Sequence, residues 1–275
     1  MSRRHDGKNR GEAYEPLGPR GERRPGPRRK PASDSGGGEW LWGRHAVEAA
    51  LANPRRRIRR LLVAEGRPVP RDAEKLERLD TAALAALLPA GVAHQGYALL
   101  ADPPDPTPLE TLAEPAEGVL LLLDGVTDPQ NVGAVFRSAA AFGARGVILQ
   151  ERHAPPLSAA LAKAAAGALD AVPHARVVNL SRALETLSDM GWRAVGLAGD
   201  IAEPLDAVLD ASPTVLVLGS EGEGLRRLVA EHCDVVASIP MPGGFESLNV
   251  SAAAAIALYE ATRARRAGQS TGERS

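Results

Sequence analysis

The sequence predicts an α/β protein built on a parallel sheet that is covered by helices on both faces, preceded by a smaller α/β domain and a basic tail. Three observations carry this. From residue 118 onward, short and almost wholly apolar runs alternate with segments of helical period, the pattern of parallel strands buried on both sides. Between 102 and 117 five prolines and no strong period mark a linker. Ahead of it, residues 39–101 read as a weaker alternation of strand and helix, enough for a small domain.

Composition narrows the class of protein. A single cysteine, Cys233, excludes an internal disulfide framework and a cysteine metal cluster. No N-terminal apolar stretch and no segment of transmembrane length are present, so a soluble, cytoplasmic protein is expected. The net charge of −1 hides an asymmetry: residues 1–38 carry ten Lys/Arg against five Asp/Glu, which is +5 and leaves −6 for the remainder. That opening stretch is rich in Gly, Pro and Arg with little to bury, so it is expected to be disordered. A flexible basic arm suits a polyanion such as RNA through counterion release, or it serves only as a solubilising tail.

In the small domain, Trp40–Trp42 is a short strand or turn leading into a helix with Ala46, Val47, Ala50 and Leu51 on one stripe. Asn53-Pro54 ends it. Ile58–Val63 is a strand flanked by five arginines, which either contact nucleic acid or form a solvated face. Residues 65–80 are polar and weakly patterned, 81–88 helical, and 95–100 a closing strand. Beyond the linker, strands are predicted at 119–123, 146–149, 193–197, 214–218 and 235–239, and helices at 132–142, 158–167, 182–190 and 225–232. An apolar helix over 250–259 follows, the domain runs to 266, and 267–275 is expected to be a disordered tail.

Ligands in such sheets bind at the carboxyl ends of the strands, and three loops there have unusual polar content. The first is DGVTDPQNVGAVFRSAAAFGA, in which Asn131 is read as the helix cap and Gly143 as the C-terminal stop. Val132, Val135, Phe136 and Ala139 form its packing stripe. Arg137 lies off that stripe among small neighbours, either as an ordinary exposed arginine or as a fork for phosphate or carboxylate. The second is GSEGEGL. Its G-x-x-G-x-G spacing is not a dinucleotide fingerprint, and Glu221 and Glu223 suit a cationic ligand better than a pyrophosphate. The third is IPMPGGFESLN, where a Gly-Gly turn at 243–244 runs into the helix that Asn249 is placed to cap.

Together these loops resemble the three signature motifs of the SpoU/TrmH-type RNA ribose 2′-O-methyltransferases of the SPOUT superfamily. The residues concerned are Asn131-Val132-Gly133 with Arg137, Leu218 to Gly224, and Ile239-Pro240-Met241 with Ser247 to Ser251. The region 40–100, with Gly43-Arg44-His45-Ala46-Val47 and His94-Gln95-Gly96, is similar to the ribosomal-protein-like substrate domain of bacterial 23S rRNA guanosine 2′-O-methyltransferases. The resemblance implies a trefoil-knotted C-terminal domain, a homodimer, and S-adenosylmethionine as cofactor, with no metal. It maps cofactor contacts to Gly219, Ile239 and Leu248, with the loop containing Pro240, Met241 and Gly243 around the adenine. It maps the polar surroundings of the methyl acceptor to Asn131, Arg137, Glu221, Ser247 and Asn249.

One departure concerns the substrate domain. Family members carry a further helix and strand between the counterparts of Val63 and Thr81; here 64–80 is too short for both, so the domain is expected to be abbreviated. Three other readings compete: a tRNA 2′-O-methyltransferase, a non-catalytic RNA-binding or ribosome-assembly protein, and a nicotinamide enzyme. The last lacks its first-turn fingerprint. Within the methyltransferase reading, the family assigns the base to the counterpart of Arg137. Deprotonating a guanidinium at neutral pH costs roughly 7–9 kcal/mol. Arg137 is therefore expected to act as a cationic fork, and Glu221 as a more economical proton acceptor or as a carboxylate that only orients its neighbours.

Overall fold

The computed structural model describes residues 38–70, 75–199, 201–243 and 247–272, and no side chain beyond 268. The basic tail and the turn residues 244–246 lie outside the described residues. The small domain consists of β1 (Glu39–Trp42), α1 (Arg44–Ala52), β2 (Ile58–Ala64), β3 (Leu76–Leu79), α2 (Thr81–Ala86) and β4 (Tyr97–Ala101). Its sheet has the order β1-β4-β2-β3, antiparallel except for the parallel pair β2–β3. β3 was read as unpatterned polar chain. It is a strand of two leucines around Glu77 and Arg78, held by pairing with β2 and by the bidentate ion pair of Arg60 with Glu77 at 2.8–2.9 Å.

The large domain follows α3 (Leu109–Ala113) with β5 (Val119–Leu123), α4 (Pro129–Ala141), β6 (Gly146–Gln150), α5 (Ala159–Ala165), α6 (Ala168–Ala171) and β7 (His174–Val177). It continues through α7 (Leu180–Asp189), β8 (Arg193–Leu197), α8 (Leu205–Val208), β9 (Thr214–Leu218), α9 (Arg227–Glu231), β10 (Val235–Ala237) and α10 (Val250–Gly272). All six strands are parallel, in the order β10-β8-β9-β5-β6-β7. β5 shows why its run is continuously apolar. Val119, Leu121 and Leu123 join the core beneath α4, α5 and α10, while Leu120 and Leu122 join the opposite core beneath α7 and α9.

Three expectations are corrected. Segment 102–117 is not a free tether. α3 sits within it, Trp192 Nε1 donates to the Ala113 carbonyl at 2.9 Å, and Arg145 Nε donates to that of Leu112 at 2.6 Å. The tail expected from 267 instead continues α10 through Gly272, although its Gly, Ser and Thr are weak helix formers; the preceding alanine- and arginine-rich turns of α10 carry the helix into it. Finally, β7 occupies an edge of the sheet, where a short strand carrying His174 and Arg176 needs no continuous apolar run.

The two domains share one hydrophobic core: Leu41, Val47, Leu61, Val63 and Leu99 of the small domain are continuous with Leu121, Phe136, Leu161 and Ala168 of the large one. A buried polar contact lies in the same junction. Arg56 Nη1 stands 3.4 Å from Asp170 Oδ1, which also accepts from Asn53 Nδ2 at 3.2 Å. Burial outweighs the attraction for both partners, pulling Arg56 down and Asp170 up from their ordinary values.

His174 gives the fold a pH dependence. It is 2% exposed and packs edge-on to Phe136. Burial first, then Arg176, Arg55 and Arg56, with Asp105 opposing, push its pKa down from 6.5 to about 4. The folded protein therefore keeps the ring neutral where the unfolded chain binds a proton. This contribution is fully present above pH 6.5 and falls away as the pH drops from 6.5 to about 4, by about 3 kcal/mol in all. Urea unfolding across that range should show His174→Gln with a shallower pH slope than the parent, the difference approaching about 1.4 kcal/mol per pH unit. Equal slopes would contradict it.

Candidate active site

The site begins where β5 ends. The Asp124 side chain is fully buried and accepts two bonds from Arg226, from Nε at 2.6 Å and from the backbone N–H at 2.9 Å. Arg226 also donates to Gln150 Oε1 at 2.9 Å, so one guanidinium joins the carboxyl ends of β5 and β6 to the loop after β9. Neither Asp124 nor Arg226 was singled out from sequence. The signal available was an acid directly after a fully apolar strand, a position where a carboxylate has to find a cation.

α4 starts earlier than the sequence suggested. Its cap is Asp128, whose carboxylate accepts from Gln130 N at 3.1 Å, with Pro129 in the first turn. Asn131 is therefore not the cap, and its side chain is free to bond elsewhere. Its Nδ2 donates to Glu221 Oε1 at 2.9 Å and its Oδ1 accepts from Asn249 Nδ2 at 2.9 Å. Asn249 closes the ring by donating to Glu221 Oε1 at 2.6 Å. Its own Oδ1 caps α10, accepting from Ser251 N at 3.0 Å and Ala252 N at 3.4 Å. Glu221 Oε1 further receives Val250 N at 3.4 Å. One residue from each motif loop thus meets at a single carboxylate oxygen.

The loop that presents Glu221 is tight. Ser220 and Gly224 exchange both backbone bonds, at 3.2 and 3.0 Å. Gly219 packs directly beneath it, where a Cβ would lie 2.1 Å from the Gly224 carbonyl carbon.

Beside this ring opens a cavity of about 670 Å³. Gly219, Glu221, Ile239, Met241, Ser247 and Leu248 line it, whereas Pro240 and Gly243 are exposed in the same segment without lining it. Its remaining wall comes from the loop after β8, Leu197 to Gly199 with Ile201. That loop was not among the three singled out in the sequence, because the residues of it that line the cavity are apolar or glycine. Arg137 is not drawn into the cavity. It is exposed on α4, more than a turn beyond Asn131, and makes no ion pair or hydrogen bond among the described residues.

The chemistry of these walls fits S-adenosylmethionine. Leu197, Leu218, Ile239 and Leu248 offer apolar surface for an adenine. No hydrogen bond reaches the backbone N–H of Ile239, Met241 or Leu248 among the described residues, which leaves three donors for a ligand. Glu221 and Glu223 give the space acidic walls that suit a cation, and no Lys or Arg lines it among the described residues. The described residues hold no group of three or more metal-ligating side chains. Burial, with Asp234 and Asp124 adding to it, pushes the Cys233 thiol up to about 12, which disfavours the thiolate.

A parallel sheet whose strand-end loops converge on a cleft lined by Glu221 and Glu223 fits a methyl-transfer protein of the SPOUT kind, and the chain belongs to the SpoU rRNA methylase family, whose family model matches residues 118–259. Residues 40–107 match the substrate-binding domain of RNA 2′-O ribose methyltransferases. The chain is 41% identical over 244 residues to the 23S rRNA (guanosine-2′-O-)-methyltransferase RlmB of Pseudomonas aeruginosa, covering 82% of this chain and 97% of that protein. The RlmB of Xanthomonas campestris is 40% identical with the same coverage. Among solved structures, the SpoU methyltransferase AviRb of Streptomyces viridochromogenes with AdoMet superposes at a TM-score of 0.71, with 26% identity, over 84% of this chain and 92% of that one. An AdoMet-bound rRNA methyltransferase of Sinorhizobium meliloti gives 0.69, with 25% identity, over 82% and 87%. The protein is an RNA 2′-O-methyltransferase, and its cofactor is S-adenosylmethionine.

Proposed function

We propose that this protein methylates the ribose 2′-hydroxyl of a guanosine in 23S rRNA. What carries the reading is the meeting of three motif loops at one carboxylate beside an acidic, cation-compatible cavity, in a chain aligned with two RlmB proteins over nearly their whole length. Mapping 2′-O-methyl groups in rRNA and tRNA from a strain lacking the gene should show one guanosine of 23S rRNA unmethylated. An unchanged 23S pattern overturns the reading.

S-adenosylmethionine supplies a methyl group on a sulfonium, already a strong electrophile. In the proposed arrangement the amides of Ile239, Met241 and Leu248 hold the adenine edge, Gly219 allows the close approach of the loop, and Pro240 and Gly243 shape the outer turn. Ser247 faces the acceptor side of the same space. Arg137 grips the substrate phosphate or the developing alkoxide.

Glu221 is assigned a positioning role rather than that of proton acceptor. Three donors converge on its Oε1, which makes it the pin between loops that are 90 residues apart at Asn131 and 28 at Asn249. Glu221→Gln replaces an oxygen pair with one oxygen and one donor, so the ring loosens. The single-turnover rate should fall by roughly 10–100-fold with a pH–rate profile of unchanged shape. Loss of the acid limb of that profile would instead make Glu221 the base.

The same reading carries a homodimer, a trefoil knot and a cytoplasmic location. Support for the dimer is the outward face of α10, where Ile256 is 38% and Tyr259 54% exposed, Tyr259 edge-on to Phe142. Sedimentation equilibrium should give twice the chain mass, and Tyr259→Glu should shift it toward the monomer; a monomeric parent rejects this part. Support for the knot is family membership together with the bond from Asn249, at the head of α10, to Glu221 in the loop after β9. For the location, among the described residues no helix is long and apolar enough to cross a membrane.

A further inference from the structure

A second cavity, of about 430 Å³, lies in the small domain, lined by Arg44, His45, Arg67, Pro68, Gln95 and Tyr97. It brings together two sequence motifs that the methyl-transfer site leaves unused, Gly43-Arg44-His45 and His94-Gln95-Gly96. The Arg44 N–H donates to Gln95 Oε1 at 3.0 Å and the Gly43 N–H to the Tyr97 carbonyl at 3.2 Å. Tyr97 Oη in turn donates to the Pro68 carbonyl at 3.1 Å, fixing the third segment.

These bonds leave a rim made of donors. Gln95 has its oxygen engaged and its amide N–H groups open. The Arg67 guanidinium has no partner among the described residues, and its stem rests on Gly96, where a Cβ would come within 2.8 Å. Arg44 uses Nε on Glu48 at 2.7 Å and keeps the rest of its fork exposed. His45 is exposed beside them, and no carboxylate lines the space among the described residues. The floor is apolar, from Pro68 and the Tyr97 ring. The volume is at the size of a small-molecule site and exceeds what a bare phosphate needs.

We infer that this pocket holds one nucleotide of the RNA remote from the reacting ribose, its phosphodiester between Arg44 and Arg67 and its base or sugar against Pro68 and Tyr97. The inference rests on the reading of the protein as an RNA methyltransferase and adds a named anchoring site to it. Both arginines present planar forks suited to phosphate.

The test uses the full chain, with Arg44→Gln and Arg67→Gln singly and together, and anisotropy of a labelled, protein-free 23S rRNA fragment as the probe. The double variant should raise the RNA Kd by about tenfold near 0.15 M salt and reduce the logarithmic salt slope by about two, one per lost phosphate contact. Turnover at saturating RNA and S-adenosylmethionine affinity should stay within twofold of the parent. Both side chains are exposed, and matching thermal melts show that the fold is kept; if one variant melts early, the other single variant carries the test. A Kd and salt slope equal to the parent's overturn the inference. So does a defect confined to protein-containing ribosomal particles, which would make the pocket a protein-docking surface. If the parent binds RNA through this pocket but leaves 23S rRNA unmodified, the pocket stands and the assigned target fails.

Discussion

Replacing Arg137 with alanine is expected to reduce single-turnover methylation by on the order of 10²–10³-fold or more, while S-adenosylmethionine affinity stays within a few-fold. The two halves have separate causes. Arg137 stands outside the cavity lining and bonds to no other described residue, so its removal leaves the cofactor walls intact. The charge that develops on the acceptor oxygen, or the adjacent phosphate, then loses its cationic partner. Arg137→Lys is expected to be nearly as impaired, because an ammonium restores the charge and not the two-pronged geometry. Calorimetry for the cofactor and quenched single-turnover assays for the transfer separate the effects. A lysine variant with parent activity, or a parallel collapse of cofactor binding, would sink this assignment.

Gly219→Ala is expected to weaken S-adenosylmethionine binding by roughly 10²-fold, about 2.7 kcal/mol. The added Cβ would stand 2.1 Å from the Gly224 carbonyl carbon, 2.2 Å from its oxygen and 2.4 Å from Leu225 N. All three are backbone atoms, so no side chain can swing away. The loop must open instead, and opening moves Glu221 away from Asn131 and Asn249. β9 itself, buried on both faces, should keep its place, so the thermal midpoint should move less than the cofactor affinity. Binding within threefold of the parent would show that the close approach is dispensable.

How far these features could be read in advance depended on how locally each is encoded. β5 is apolar throughout, and β8 and β9 are apolar after a first Arg or Thr; runs buried on two sides in this way announce themselves. β7 and β3 do not. Each owes its strand conformation to the neighbour it pairs with, and His174 or Glu77 in isolation argues against it. α3 was hidden by its prolines, although Leu112 and Ala113 are buried. In the first loop the cap was read as Asn131, whereas Asp128, directly before Pro129, holds that place, and this leaves the Asn131 amide for the site. The ring itself, with partners 90 and 118 residues apart, has no local signature. Neither has the apolar wall after β8, which is chemistry by shape alone.

The strand order bears on when this protein can first act. β10 and the start of α10 supply two of the cavity walls and the third arm of the ring, yet they come last in the chain. α10 also covers the sheet face that carries Leu216 and Leu218. A nascent chain that has not yet released residues 235–258 has no closed cofactor site. The whole of the small domain is synthesised before the segment that closes the cofactor site. Closure waits on Asn249, at the head of α10, reaching Glu221 and Asn131.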